Sequence, residues 1–285
     1  VQDLIEIAKR HVRKDGFHPT AIPSLEIVRS SAPSEPVPGV YRPSLCYVLQ
    51  GMKEVGISGR TFRYGVGQYL VSSVDLPVTG EILEATPSRP YLCLVVSLPP
   101  TSIYEVVQST NRRIEGEMLS GIFAGHAEPA LTDAVARLAR CLDSSDDGAF
   151  LVPGILKEII YRLLAGPFGA MIAEMGMTGS RTQRIGRAVT HLKNHFTEPL
   201  RVAELARLSG MSASTFHEHF RRITTMSPLQ YQKLLRLQEA RRLLVSDGAG
   251  AGDIGFRVGY QSPSQFSREY SRYFGCPPSV DLRRI

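Results

Sequence analysis

LARLSGMSASTFHEHF (Leu205–Phe220) and IGFRVGYQSPSQFSREY (Ile254–Tyr270) are two copies of one pattern, and they decide the fold of the last third of this 285-residue chain. In each copy a small residue follows a branched apolar one (Leu205-Ala206, Ile254-Gly255), and a Gly (Gly210, Gly259) comes shortly before a Ser (Ser212, Ser262). Two aromatics four residues apart then follow, Phe216 and Phe220 or Phe266 and Tyr270, and the serines and aromatics recur at a separation of fifty residues. Self-similarity at a fixed separation implies a repeated supersecondary unit. Its parts are those of a helix-turn-helix. A short helix buries Leu205 or Ile254, the Gly permits a left-handed turn, the Ser caps the next helix, and the aromatic pair anchors that helix in a core. The opposite face of the second helix stays exposed, and its N-terminal residues are the ones able to reach base edges in a major groove.

Between the copies, Ser227-Pro228 supplies a cap and a first-turn proline for a long helix running to Leu244, which joins the two units rigidly. The charge is uneven along the chain. Residues 181–285 hold 17 Lys and Arg against 8 Asp and Glu, a net +9, while residues 1–180 carry −3. The basic end is the one suited to a polyanion.

Working outward, the length exceeds that of a single core and points to two domains, and 43% apolar with 21% charged residues is ordinary for a globular protein. No apolar run is long enough to span a bilayer and Val1–Lys14 is charged, so the expected location is the cytoplasm, on the nucleoid, with no membrane partner. Cys46, Cys93, Cys141 and Cys276 are scattered, without a CxxC pair or zinc spacing, which argues against a disulfide framework and a zinc site. Residues 1–15 read as an amphipathic helix. Short β-prone stretches then follow between Gly, Pro and Ser: Leu25–Val28, Leu45–Leu49, Glu54–Ile57, Thr61–Tyr64, Tyr69–Val71, Thr79–Leu83 and Tyr91–Leu98. They suggest a sandwich or barrel. Helical periodicity returns after Pro100, with Pro129 and Pro153 expected in first helical turns.

The run MSPLQYQKLLRLQEARRLL (Met226–Leu244) followed by FRVGYQSPSQFSREYSRYFGCPP (Phe256–Pro278) resembles the DNA-binding domain of the AraC/XylS regulators. Upstream, YRPSLCYVLQGMKEV (Tyr41–Val55) and LKEIIYRLLAGPFGA (Leu156–Ala170) are similar to the subgroup with a cupin-like N-terminal domain. The resemblance implies an α+β chain of two domains. Residues 1–100 would form a cupin-like effector-binding β-barrel or sandwich, 101–165 a helical dimerisation segment, 166–181 a linker, and 182–285 an all-α DNA-binding domain of seven helices. Its helix-turn-helix units are placed at about 202–222 and 252–273.

By the same resemblance, the first recognition helix presents Ser214, Thr215, His217, Glu218 and Arg221 to DNA, and the second Ser264, Gln265, Ser267 and Arg268. Side-chain chemistry refines this. Arg268 suits guanine, Gln265 adenine and Glu218 cytosine, whereas Thr215, Arg221 and Arg272 suit phosphate. The implied function is sequence-specific transcriptional regulation, as an activator, by a homodimer that binds a double-stranded operator, engages RNA polymerase and answers to a small-molecule effector. Three features depart from the family pattern. Gly255 stands where Ala is usual and weakens its helix by about 1 kcal/mol. The stretch DGAGAG (Asp247–Gly252) loosens the entry to the second unit, and Thr225 replaces a common Gly.

No His occurs between His18 and His126, so the predicted barrel lacks the imidazoles of a mononuclear metal site; no metal, cofactor or enzymatic activity is expected. A barrel without metal still encloses a small molecule. Polar residues in its apolar strands, Arg42, Gln50, Glu54, Glu81 and Tyr91, are the lining candidates. Cys46 and Cys93 read as inert packing, because no basic neighbour in sequence lowers their pKa. The alternative is a DNA-binding protein whose N-terminal domain only dimerises or senses through those thiols.

Overall fold

The computed structural model describes residues 2–110, 120–247 and 250–281, and the chain divides into two units, Val1–Arg184 and Ile185–Ile285. The first unit opens with helix α1 (Gln2–His11), whose Leu4, Ile5 and Ala8 are buried, as is Val12 just beyond it. Strands β1 (Gly16–Pro19), β2 (Leu25–Ser30), β3 (Val37–Tyr41), β4 (Ser44–Gln50), β5 (Met52–Ile57), β6 (Arg60–Gly65), β7 (Gln68–Ser72), β8 (Leu76–Glu84) and β9 (Tyr91–Ser97) follow. Then come α2 (Pro100–Ser109), β10 (Ile122–His126), α3 (Pro129–Arg140), α4 (Ser145–Ala165) and α5 (Gly169–Gly176).

Among the described residues the strands form two antiparallel sheets, one ordered β1-β2-β9-β4-β7-β10 and the other β3-β8-β5-β6. Every residue of β4 is buried, as expected of a strand covered on both faces. On one side α3 packs near it, with the Tyr47 hydroxyl 3.1 Å from that of Thr132. On the other lies the smaller sheet. The seven strands expected from the sequence all form. β1, β3 and β10 were not legible. The first two contain Pro and Gly, which edge strands tolerate, and β1, β3 and β10 all lie at sheet edges.

Two further expectations need correction. Pro153 lies inside α4 rather than in a first turn, because the helix begins at Ser145, and it forgoes one backbone hydrogen bond there. Residues 166–181, expected as a linker, carry α5, whose Met171, Ile172, Ala173 and Met175 are buried. A Cβ on Gly176 would stand 2.6 Å from the Tyr104 backbone nitrogen, so α5 approaches α2 closely. Small residues there serve helix packing, not flexibility.

The second unit contains α6 (Arg181–Asn194) from Ile185 onward, then α7 (Val202–Leu208), α8 (Ala213–Thr224), α9 (Pro228–Asp247), α10 (Ala251–Arg257), α11 (Pro263–Phe274) and α12 (Pro278–Asp281). Ser227 and Gln230 form a reciprocal capping box at the start of α9, with Gln230 N donating to Ser227 Oγ (3.3 Å) and Ser227 N to Gln230 Oε1 (2.9 Å). One end of α9 meets the first repeat, where Tyr231 packs edge-on to Phe220 with ring centroids 5.6 Å apart. Its other end, through Leu237, Ala240, Leu243 and Leu244, shares a core with Ile254, Val258, Phe266 and Tyr270 of the second. Arg236 and Gln232 of α9 donate to the carbonyls of Phe196 and Glu198 beyond the C-terminus of α6, at 2.7 to 3.0 Å. Those bonds satisfy backbone carbonyls of the segment that follows α6, which has no ladder of its own.

The repeat shows one mismatch in backbone geometry. α11 ends on Gly275 at φ 75°, but its counterpart after α8 is Thr225 at φ 63°. A β-branched residue in the left-handed region costs about 1–2 kcal/mol. Thr225→Gly should therefore stabilise the second unit by about 1 kcal/mol, after the entropy that Gly adds to the unfolded chain. A denaturant titration that shows a loss of stability would contradict this. The loosened entry expected at Asp247–Gly252 falls in part on 248–249, outside the described residues; Gly250 caps α10.

Candidate nucleic-acid interface and effector cavity

Both turns have the geometry that the repeated pattern demands. Gly210 (φ 61°) and Gly259 (φ 94°) are left-handed, and at Gly259 a Cβ would lie 2.3 Å from the Thr197 carbonyl. Ser212 Oγ accepts from Thr215 N at 3.2 Å and Ser262 Oγ from Gln265 N at 3.4 Å, so each recognition helix starts on a serine cap. Phe216 and Phe220 are buried, with ring centroids 5.4 Å apart; Phe266 and Tyr270 repeat this at 5.5 Å. Gly255, opposite Phe266, is less of a defect than its propensity suggests. A Cβ there would lie 3.0 Å from the ring, so the glycine lets α10 and α11 approach.

Ser214, Thr215, His217, Glu218 and Arg221 are all exposed on α8. On α11, Ser264, Gln265, Arg268 and Arg272 are exposed, while Ser267 is half-buried and its carbonyl accepts from the Ser271 hydroxyl at 2.7 Å. Several of these side chains are already engaged: Ser214 Oγ lies 3.1 Å from Ser212 Oγ, and Arg268 Nε donates to the Ser264 carbonyl at 3.4 Å. Thr215 Oγ1 accepts from Ser212 Oγ at 2.8 Å, and Gln265 Nε2 donates to Glu269 Oε1 at 3.2 Å. Glu269 was not among the sequence candidates. It also accepts from Lys233 Nζ and the Tyr260 hydroxyl, both at 2.9 Å, and so fastens α11 to α9 and to the turn. Burial works to raise the Glu269 pKa, but hydrogen bonds from Lys233, Gln265 and Tyr260 outweigh it and hold the carboxyl below its ordinary value. A basic surface flanks it, with Arg268 and Arg272 one turn apart and both exposed.

Between the two sheets of the first unit lies a cavity of about 500 Å³. Arg42 and Tyr91 line it, as the sequence suggested. Gln50, Glu54 and Glu81 do not. Gln50 is buried, and its amide donates to the Pro90 carbonyl at 2.6 Å. Glu54 pairs with Arg63 and lies opposite Glu81 in the register of β5 and β8, on the face away from the buried Val55 and Ile57. The parity of β5 was the signal. Lys53, not Glu54, alternates with Val55 and Ile57, and Lys53 is the cavity residue.

Cys46 and Cys93, on neighbouring strands β4 and β9, are both free and both line the cavity. A hydrogen bond from Cys93 lowers the Cys46 pKa against the effect of burial, and the Lys53 charge adds to the lowering, while burial pushes Cys93 well up. The basic neighbour not visible in sequence comes from the opposite sheet. Among the described residues no group of three or more His, Cys, Asp and Glu is placed to hold a metal, and no helix is long and apolar enough to cross a membrane.

Two capped helix-turn-helix units on one α9 scaffold define a class, the doubled helix-turn-helix proteins. The comparisons with known proteins narrow it. Residues 21–171 match the family model described as AraC-type transcriptional regulator N-terminus, and residues 205–284 match a helix-turn-helix domain model. The chain belongs to the AraC-type transcriptional regulators. It is 27% identical to the virulence regulon transcriptional activator VirF of Yersinia enterocolitica, over 53% of this chain and 55% of that protein. To the regulator ExsA of Pseudomonas aeruginosa it is 26% identical, over 57% and 58% respectively. The chain thus spans about half the length of the curated relatives it matches. Its fold is that of ToxT from Vibrio cholerae, with a TM-score of 0.56 at 11% identity over 90% of this chain and 97% of ToxT.

Proposed function

We propose that the chain is a sequence-specific DNA-binding transcriptional regulator, an activator whose operator binding is controlled by a small molecule in the cavity of its first unit. The observation that carries this reading is the pair of serine-capped helices α8 and α11, each with its aromatic face buried and its polar face exposed. On α8, Glu218 would accept from cytosine N4 and Arg221 would meet phosphate, with Ser214, Thr215 and His217 beside them. On α11, Arg268 would hold guanine and Arg272 phosphate, with Ser264, Gln265 and Ser267 at the start of the helix. Gln265 must leave Glu269 to present both ends of its amide to adenine.

In this reading the protein acts in the cytoplasm on the nucleoid as a homodimer, recruits RNA polymerase, and catalyses no reaction. Phe150 (85% exposed) and Leu151 on α4 are apolar surface that pairing of two copies would cover. The cavity supports an effector, and ToxT, which shares the fold, has been solved bound to an unsaturated fatty acid. Footprinting of the full chain on an operator selected from random sequence should show protection of two successive major grooves on one face of the duplex. Protection of a single groove would contradict the paired reading.

A further inference from the structure

The cavity of the first unit holds a cation without a counter-ion. Lys53 projects from β5 between the sheets, its Nζ 5.4 Å from the ring centroid of Tyr41 and 5.9 Å from that of Tyr91. Gly80, on the neighbouring strand β8 of the same sheet, makes the room: a Cβ there would stand 3.0 Å from Lys53 Cε and 3.4 Å from both Nζ and the Tyr41 hydroxyl. Glu26 is the one carboxylate of the lining, and it is occupied. Both its oxygens lie 3.0 Å from Arg42 Nη2. Among the described residues Lys53 itself forms no ion pair. Leaving an ammonium in such a place is costly unless something compensates it.

A second observation points the same way. The Tyr91 side chain is fully buried and lines the cavity, and its hydroxyl meets no oxygen or nitrogen acceptor, only the weakly accepting thiol of Cys93. Buried hydroxyls without a good partner are rare in native proteins, and each is a reason to look for a missing acceptor. Burial works to lower the Lys53 pKa, but a hydrogen bond and charge interaction with Tyr41, together with Cys93 and Cys46, outweigh it and keep the lysine on the charged side. The charge and the poorly satisfied donor therefore face one space. Of the remaining lining residues Phe17, Val28, Val40, Tyr64 and Val95 are apolar or aromatic, and Ser44 and Ser97 are polar.

We infer that the effector of this protein is a compact monocarboxylate with an aromatic or similarly flat apolar body, its carboxylate held by Lys53 with the Tyr91 hydroxyl as a second donor and its body between Tyr64 and the valines of the larger sheet. The inference rests on the small-molecule control proposed above and assigns the chemistry of that site. A carboxylate supplies the missing counter-charge for Lys53 and an acceptor for Tyr91 at once. A neutral amide of the same shape still offers an acceptor to Tyr91 but no counter-charge to Lys53. A cavity of about 500 Å³ lies in the range usual for small-ligand sites, and its aromatic walls favour a flat body over a long flexible chain.

The test uses the full chain and its variants Lys53→Met and Tyr91→Phe, with benzoate, phenylacetate and cinnamate as probes, their uncharged primary amides as matched controls, and palmitoleate as a long-chain acid. Thermal shift and calorimetric titration report binding, and a gel shift on the selected operator without ligand reports the DNA site separately. At least one aromatic acid should bind the wild-type protein, its amide should bind at least tenfold more weakly, and Lys53→Met should lose at least tenfold in affinity for the acid. Tyr91→Phe removes one oxygen from an intact ring, so it keeps the test decisive if Lys53→Met fails to fold; it should weaken the acid several-fold and the amide less, because a bond to a charged acceptor is the stronger one.

Equal binding of acid and amide, or an acid that binds wild type and both variants alike, overturns the carboxylate assignment while small-molecule control stands. Binding of palmitoleate but of no aromatic acid overturns the compact body. If none of the acids binds, the inference fails. A neutral metabolite that then shifts the melting of the wild-type chain would leave effector control intact, and no shift with any compound would remove that reading as well. Operator binding by Lys53→Met in the absence of ligand should match wild type throughout.

Discussion

Asp281→Ala should destabilise the second unit by about 3 kcal/mol, the largest loss expected from a single side chain outside its apolar core. Asp281 is only 3% exposed, at the end of the short helix α12. Its Oδ2 accepts from the Tyr270 hydroxyl at 2.6 Å and from Arg241 Nε at 3.0 Å, so one carboxylate ties α12 to the recognition helix α11 and to the long helix α9. Alanine leaves the buried Tyr270 hydroxyl without its acceptor and strips Arg241, whose guanidinium also stacks 5.0 Å from the Phe274 ring, of its counter-charge. Removing one partner of a buried pair costs about 3–5 kcal/mol, and the 27% exposure of the Arg241 side chain sets the expectation at the low end. Asp281→Asn keeps an acceptor for Tyr270 and loses only the charge, so it should cost clearly less. Urea unfolding of the full chain, followed through the transition of the second unit, measures both. A loss below about 1 kcal/mol for Asp281→Ala would mean that the network does not hold α11 in place.

Most of this architecture was legible because two features of the sequence are local. In the second unit the fifty-residue repeat carried turn, cap and anchor together, and Gly210, Ser212, Phe216 and Phe220 occupy the places their chemistry requires. What the repeat did not show is what crosses between helices. Glu269 and Asp281 are ordinary acidic residues in sequence, and only packing brings Lys233, Tyr260 and Gln265 to one and Arg241 and Tyr270 to the other.

In the first unit the central strands announced themselves by β-branched runs, while β1 and β3 were hidden by the Pro and Gly that edges tolerate. The cavity was legible in part. Strand parity alone separates Lys53, on the side of Val55 and Ile57, from Glu54; choosing residues for polarity rather than parity selected the wrong one of the two. That Lys53 meets Cys46 and Cys93 depends on the packing of one sheet on the other, which no local pattern encodes.

In the proposed reading α11 meets base edges with its N-terminal half and the DNA backbone further along, which separates two arginines on that one helix. Arg268 is the sixth residue of α11, exposed, with Nε 3.4 Å from the Ser264 carbonyl one turn back, which turns its guanidinium toward the start of the helix. Arg272 lies one turn later, also exposed, near the C-terminal end. A recognition helix meets base edges with its early residues and phosphates with its later ones. Arg268→Ala should therefore cost about 1–3 kcal/mol on the cognate site and relax the preference at one base pair. Arg272→Ala should weaken all sequences alike and reduce the slope of log affinity against log salt by about one. Affinity selection of the wild-type chain and both variants against a randomised operator library, at two salt concentrations, is the most direct measurement. Arg268→Ala should relax one position, and Arg272→Ala should leave the logo unchanged with a shallower salt slope; unchanged base preferences for Arg268→Ala together with altered ones for Arg272→Ala would overturn this placement of α11.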